Sequence, residues 1–489
     1  MRKLSLIFAL ILTFSCTDLQ ERPFSELPIS SYFTSDATLE KAILPAYSNL
    51  RNYTWHYWNI SQVSSNETAI TGQHTFDEFI RIFQHSFGPK EPYFNDLWTW
   101  LYNGISDCNN TLYIYNQLPP SKLKTQFTAE ARVLRAFYYY LLLDTFGNVP
   151  LITGYPNPTN LPQADAKKVF AFCETELLEA RADLDKNLKI YGRVNPEVAN
   201  TILAKLYLNA KVYTETPQWQ ACADVCDRII SENPNRTLTR DYYDNFKLQN
   251  ETSSEIIFPI AFSSKIELSF PNNNFYMRTL HYNQMPASPW NGFCTIAEQY
   301  DSFDSTDYRR LVLWEGVQYR ELTWPQNNKK GISLKDRTGS PLSFTKAVYA
   351  TGNNESAGIR VPKYEPDVNA PGGQAENDYV IFRFADVLLM KAEALLRLNR
   401  EKDALLLVNK VRERANLKPL TTLTLNDMLK ERKHEFFWEA FARQDLIRFG
   451  EFSKPNSVRS RASEAYKTRF PIPANVLTNN PTFVQNIGY

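Results

Sequence analysis

The chain has 489 residues, a formal charge of +1, and 43% hydrophobic against 22% charged residues. That is the composition of a folded protein with a sizeable core, and the near-neutral balance lacks the basic field that nucleic-acid binding draws on. Aromatics reach 14%, with 31 Phe, 27 Tyr and 9 Trp, a share high enough that some rings are expected to face outward.

The chain opens MRKLSLIFALILTFSC. Arg2 and Lys3 precede a mostly apolar run from Leu4 to Phe14, too short to span a bilayer and suited to an export signal. Ser15 before Cys16 at the end of that run looks like a bacterial lipoprotein box. Cleavage there would leave an acylated Cys16 and a chain anchored to a membrane without crossing it. The alternative is a plain secreted protein with a chance cysteine. No later stretch approaches the roughly 18 apolar residues of a spanning helix. The expected layout is a signal peptide over 1–15, a lipidated N-terminus and tether over 16–33, and one domain over 34–489. Within it, helical repeats occupy about 34–232 and 379–450, and a loop-rich insert about 240–378.

Residues 34–51 place Leu39, Ala42, Ile43, Ala46 and Leu50 on one helical face behind the cap candidates Thr34, Ser35 and Asp36. The stretch YTWHYW, residues 53–58, follows. It carries Trp55 and Trp58 three apart, so the two indoles could share a helical face. Whether they fill a core or meet a ligand is open at this stage. Helical patterns recur over 91–117, 128–145, 166–189, 196–213 and 218–231. Gly147 and Pro150 end the second of these and Pro196 opens the fourth. Residues 254–264, SEIIFPIAFSS, read as a strand. A helix, a tight turn and a second helix return at 380–398 and 401–415. Such pairs resemble tetratricopeptide units, which stack because one pair cannot bury its own face. The predicted fold is mainly α, with tetratricopeptide-like repeats packed against an irregular, loop-rich ligand-binding part with a few short strands.

Chemistry is sought and not found in the usual motifs. There is no Gly-rich phosphate loop, no HExxH and no GxSxG. The five histidines lack metal-ligand spacing, and no cofactor is indicated. Cys222 and Cys226 could be half a metal site, but two buried thiols is the plainer reading. Glu431, Glu435 and Glu439, with Arg432 and Arg443 nearby, read as ion pairs along a helix, worth a few tenths of a kcal/mol each when exposed. Asp301, Asp304 and Asp307 could hold a cation, or cap and pair with Arg309 or Arg310. A glycosidase carboxylate pair is defined by distance in space and stays open.

Several stretches in order resemble the SusD/RagB family of outer-membrane lipoproteins: AEARVLRAFYYYLLLDTFGNVPL (129–151), FRFADVLLMKAEALLRLN (382–399), VNKVRERANL (408–417), ERKHEFFWEAFARQDLIRFG (431–450) and the final FPIPANVLTNNPTFVQNIGY (470–489). The resemblance implies a cell-surface, lipid-anchored glycan-binding protein, not an enzyme, that delivers oligosaccharide or polysaccharide to a SusC-like TonB-dependent transporter. A peptide ligand, as in some members, is the alternative, and a surface glycoside hydrolase is the more distant one. SSNET (64–68) has Asn66 where many members have Asp, which preserves the turn.

The same comparison divides YTWHYW. Tyr57 and Trp58 match the aromatic pair before the turn, a packing element, whereas Trp55 matches a position that can line the ligand surface, as can Gln73, His74 and Phe76. A sugar ring stacks its C–H face on an aromatic ring while amides and charged groups meet its hydroxyls. Loop 271–293 supplies both kinds, with Tyr276, Tyr282 and Trp290 among Asn272, Asn273, Asn274, Arg278 and Gln284. Trp98, Trp100, Trp219 and Trp438 are core candidates.

Overall fold

Helix caps and apolar periodicity decide most of the architecture. A computed structural model describes residues 29–71, 79–156, 162–188, 190–262, 274–327 and 331–489. The signal peptide, Cys16, Gln73, His74, Phe76, Asn272 and Asn273 lie outside the described residues.

Helix α1, Pro92–Asn116, begins with proline in its first turn, where the missing N–H has no helical partner to lose. Helix α2, Lys122–Thr145, is capped by the Ser121 hydroxyl, which accepts from the Lys124 N–H. The two helices approach so closely at Gly104 that a Cβ there would lie 2.4 Å from the Tyr138 ring. Asp165 caps α3, Ala166–Asp183, and Asn195 caps α4, Pro196–Leu208. Then come α5, Trp219–Glu232, α6, Phe384–Arg397, and α7, Glu401–Arg414. Each of these helices packs on the next in chain order, so the stack continues across the loop-rich insert between α5 and α6. Helix α8, Leu425–Glu435, starts in a capping box of Thr424 and Asp427, and α9, Ala442–Phe449, stops at left-handed Gly450.

Three expectations are corrected. Residues 34–51 are not one helix but the short helices Asp36–Lys41 and Leu44–Asn49, interrupted before Pro45. The segment 380–398 is not helical throughout. Strand β2, Tyr379–Arg383, pairs antiparallel with β1, Ile256–Ile260, and both are buried along their length. Glu431, Glu435 and Glu439 are not a row along one helix. All three are buried, and Glu439 lies beyond the end of α8, after Trp438 and before Ala440, both in left-handed backbone.

Those carboxylates meet cations from distant segments. Arg309 donates to Glu431 at 2.7 Å and Glu435 at 3.0 Å, Arg383 to Glu255 at 2.7 Å and Glu439 at 2.8 Å, and Lys363 lies 3.0 Å from Glu439. Arg412 and Arg414 of α7 join through Glu431, Glu255 and Glu435. The network ties helices α7 and α8 and strand β2 to the loop-rich part. Asp307 caps its own turn and pairs with Arg309 at 2.8 Å, while Asp301 pairs with Lys346 at 2.6 Å. The five described cysteines are free and buried, and among the described residues no group of three or more His, Cys, Asp or Glu could hold a metal ion. Among the same residues no helix is long and apolar enough to cross a membrane.

Candidate ligand-binding site

The YTWHYW stretch folds as a π-turn, Thr54–Trp58, running into the α-helical residues Asn59–Val63. A π-turn is wider than an α-turn and is often found at functional sites. The extra width swings residues three apart onto different faces, so Trp55 and Trp58 do not share one. Trp58 is buried. Its indole N–H donates to the Trp438 carbonyl at 3.1 Å and its ring packs on Phe275 at 4.7 Å. Tyr57 is also buried and donates to Asp144. Trp55 points outward and is 45% exposed. His56 is half-buried and stacks on Trp100 at 5.6 Å. Burial lowers its pKa, so its ring is neutral at pH 7.

Residues 274–294 form the facing wall. A 3₁₀ turn, Phe275–Arg278, is closed by N–H groups from the end of the loop. Trp290 donates to the Met277 carbonyl at 2.7 Å, Asn291 to Leu280 at 2.9 Å and Gly292 to Arg278 at 2.8 Å. Ser288 and Asn291, on either side of Trp290, hold left-handed backbone at φ 51°, a conformation that needs support from its surroundings. Asn291 receives that support: its side-chain oxygen accepts from Arg360 and its amide donates to the Glu355 carbonyl. Phe293–Cys294 then pairs with Ala69–Ile70, and the Thr71 N–H donates to Gly292.

These constraints bring Trp290 against Trp55. Their ring centroids are 6.2 Å apart and their planes meet at 86°, an edge-to-face corner. Behind the corner lies Arg278, fully buried, its guanidinium carbon 5.4 Å from the Trp55 ring centre, 5.7 Å from Trp58 and 5.9 Å from Trp290.

Tyr282 is half-buried, with Arg337 over its ring at 5.0 Å and His281 at 4.8 Å. Glu355 accepts from Arg337 at 2.8 Å and lies 3.2 Å from His281. Burial alone would raise the Glu355 pKa, but its bonds to Arg337 and His281 hold it below the usual carboxylate value. That is the opposite of what a general acid needs. Sequence reasoning missed Tyr349, which is 65% exposed. Asn353 holds its loop by bonding both its N–H and its carbonyl at 2.8 Å, and also reaches the Ile70 carbonyl at 3.3 Å. A lone tyrosine with no aromatic neighbour in sequence carries no signal of its own.

Of the predicted site residues, Trp55 and Trp290 meet, and Tyr282 stands on the same loop as Trp290. Tyr276 is a correction. It is fully buried, its hydroxyl donates to the Asp367 carbonyl at 3.4 Å, and it packs in a small core with Met277, Leu280, Met285 and Trp314. The 3₁₀ turn aims it inward. Gln284 is buried too, accepting from the His281 N–H at 2.7 Å. Trp98, Trp100 and Trp438 are core residues, while Trp219 is only partly buried, with Arg397 over its ring at 4.8 Å.

The pocket beside Trp55, His56 and Asp96 measures about 40 Å³. A cavity of about 1040 Å³ opens elsewhere, among α3, α4, α5 and β1, but its lining is ionic, and Arg193 and Arg236 there are already paired with Glu130 and Glu197. An open aromatic surface suits a long chain laid across it better than a small enclosed molecule.

Two family models match the chain, one described as "Starch-binding associating with outer membrane" over residues 19–208 and one as "SusD family" over residues 317–489. The chain is 26% identical to the "Starch-binding protein SusD" of Bacteroides thetaiotaomicron, over 74% of this chain and 72% of that one. It is 25% identical to "SusD-like protein P25" of Formosa agariphila, over 99% and 98%. Among solved structures, "Surface glycan-binding protein A from Bacteroides thetaiotaomicron in complex with laminarihexaose" superposes with a TM-score of 0.71 at 21% identity, covering 93% of this chain and 100% of the other.

Proposed function

The chain belongs to the SusD family, and from that premise we propose that it is a glycan receptor, a lipid-anchored protein of the outer membrane that captures oligosaccharide or polysaccharide at the cell surface. It passes the captured chain to a SusC-like TonB-dependent transporter and does no chemistry on it. The observation that carries this reading is the Trp55–Trp290 corner, where a half-exposed indole meets a partly buried one edge to face. Trp55 offers a pyranose an apolar platform at little entropic cost, because an indole has only two side-chain torsions to fix. The near-neutral chain suits an uncharged ligand. The relatives' names support a glucose polymer as the first ligand to try, starch in one and a laminarin fragment in another.

The test is calorimetric titration with starch, laminarin and a panel of plant, host and microbial glycans, with Trp55→Ala and Trp290→Ala alongside. Binding to one glycan class, without release of reducing sugar and weakened by either substitution, is the expected result. Release of reducing sugar would make the protein a hydrolase. Silence across the panel would overturn the glycan assignment and turn attention to peptides.

A further inference from the structure

Most buried arginines in this protein face carboxylates, although Arg360 and Arg459 donate to an Asn oxygen and backbone carbonyls. Arg309, Arg383, Arg432, Arg443 and Arg448 are each paired with at least one Asp or Glu. Arg278 is equally buried, and among the described residues no carboxylate pairs with it. Its donors go to uncharged acceptors on three residues instead: Nε to the Asn59 side-chain oxygen at 3.0 Å, one Nη to the Asn274 side-chain oxygen at 2.8 Å and carbonyl at 3.3 Å, and the other to the Thr54 carbonyl at 3.4 Å. Burial pulls its pKa down to about 9, so it remains a cation at pH 7. Its charge is met by the π-faces of Trp55, Trp58 and Trp290.

The acceptors lie on both walls of the site. Thr54 and Asn59 bracket the π-turn that presents Trp55, and Asn274 opens the turn whose far end is bonded to Trp290. Arg278 is thus the point where the two walls join. An apolar side chain could fill the space, but it would join neither wall to the other. Uncompensated burial of a charge recurs at sites where position matters more than stability.

Resting on the glycan-receptor reading, we propose that Arg278 is a positioning residue for the ligand: it rivets the π-turn to the 274–290 loop and holds the Trp55 and Trp290 rings at right angles. It touches no ligand itself. Without it, Trp290 keeps its contacts to the core, but both rings lose the shared cation that orients them.

The experiment uses the full chain in detergent. Native protein is compared with Arg278→Met, Arg278→Lys and Asn274→Ala, and Trp55→Phe serves as the control for the indole pair. Three quantities are read: the near-ultraviolet circular dichroism of the coupled indoles without ligand, the melting temperature, and binding of laminarin and starch. Arg278→Met is expected to melt close to the native temperature, on either side of it. It should lose the indole signal that Trp55→Phe also loses and bind glycan about tenfold more weakly. Arg278→Lys keeps the charge without the fork and should recover part of the signal. A folded Arg278→Met with the native indole signal and native affinity would overturn the proposal. If that variant does not fold, Asn274→Ala decides, because it removes one acceptor from the outer wall: a weakened indole signal supports the proposal and an unchanged one overturns it. Failure of the native protein to bind any glycan would count against the receptor reading alone, because the ligand-free signal still judges Arg278.

Discussion

Arg383 and Arg278 occupy equally dry sites in two regions of the molecule and are treated in opposite ways. At the junction of helices and loops, Arg383 is surrounded by Glu255, Glu435 and Glu439. Burial would lower its pKa, but those three carboxylates reverse the effect and hold it well above its ordinary value. At the aromatic face, Arg278 has amides, a carbonyl and indole rings, and its pKa falls. A buried charge left without its partner is strongly destabilising, whereas a charge that never had one already bears that loss. The junction is therefore built of charges that depend on one another, and the aromatic face on a charge whose removal strands polar acceptors but no ion.

The sharpest way to break this contrast is Arg383→Met, which leaves three buried carboxylates short of a cation. It should lower the unfolding free energy by about 3–5 kcal/mol in denaturant titration, and a loss below about 1 kcal/mol would mean the junction tolerates unpaired charge. At the other region the large effect is on binding. Trp55→Ala should weaken glycan affinity by about 2 kcal/mol, roughly thirtyfold, while unfolding shifts by no more than about 0.5 kcal/mol because the ring is half in solvent.

Acid should separate the regions next. Burial alone would raise the Glu435 pKa, but Arg414, Arg383 and Arg309 together hold it well below the ordinary value. Its contribution to stability is complete above the pKa of an unfolded glutamate, about 4.3. It drains away as pH falls below that value toward the folded pKa, by at most about 1.4 kcal/mol per pH unit from this one group. Melting temperature measured between pH 5 and pH 3 should fall accordingly, less steeply in Glu435→Gln. Arg278→Met should change stability by less than about 1 kcal/mol in either direction by the same denaturant titration, the counterpart that makes the comparison quantitative. Tyr276→Phe is the smallest. It removes one long hydrogen bond to the Asp367 carbonyl, so calorimetry should show native glycan affinity and unfolding a loss of about 1 kcal/mol or less.

The repeat helices were legible because their signals are local. Asp165 and Pro196 stand at the starts of α3 and α4, and the apolar period of α2 and α4 can be counted from residue letters alone, although the counted pattern begins at 128 while α2 begins at Lys122 behind its Ser121 cap. Strand β2 was not, because VIFR continues without a break into FADVLLM. Only its pairing with β1, more than a hundred residues earlier, separates it from the helix. The acidic row failed for a related reason. Spacing of four placed Glu431 and Glu435 on one face, but burial beneath Arg309 and Arg383 is set by segments far away in sequence. At the site, Trp55 and Trp290 could be nominated by residue type and family likeness. The corner they make follows from the π-turn and from two left-handed residues, the inward turn of Tyr276 from a 3₁₀ turn, and the loop that carries Tyr349 from Asn353, none of which leaves a mark in the apolar pattern.

A π-turn is what an α-helix becomes when one residue is added without changing either end. The outward aim of Trp55 is thus a property of chain length as much as of residue identity. Deleting a single residue between Tyr53 and Tyr57 would restore the ordinary helical pitch and turn the indole from solvent toward its neighbours. Relatives that gained or lost one residue here would present a different ring, or none, on an otherwise unchanged scaffold. Ligand preference in such a lineage could move by insertion and deletion, in single steps that leave the helical stack and its ion pairs untouched.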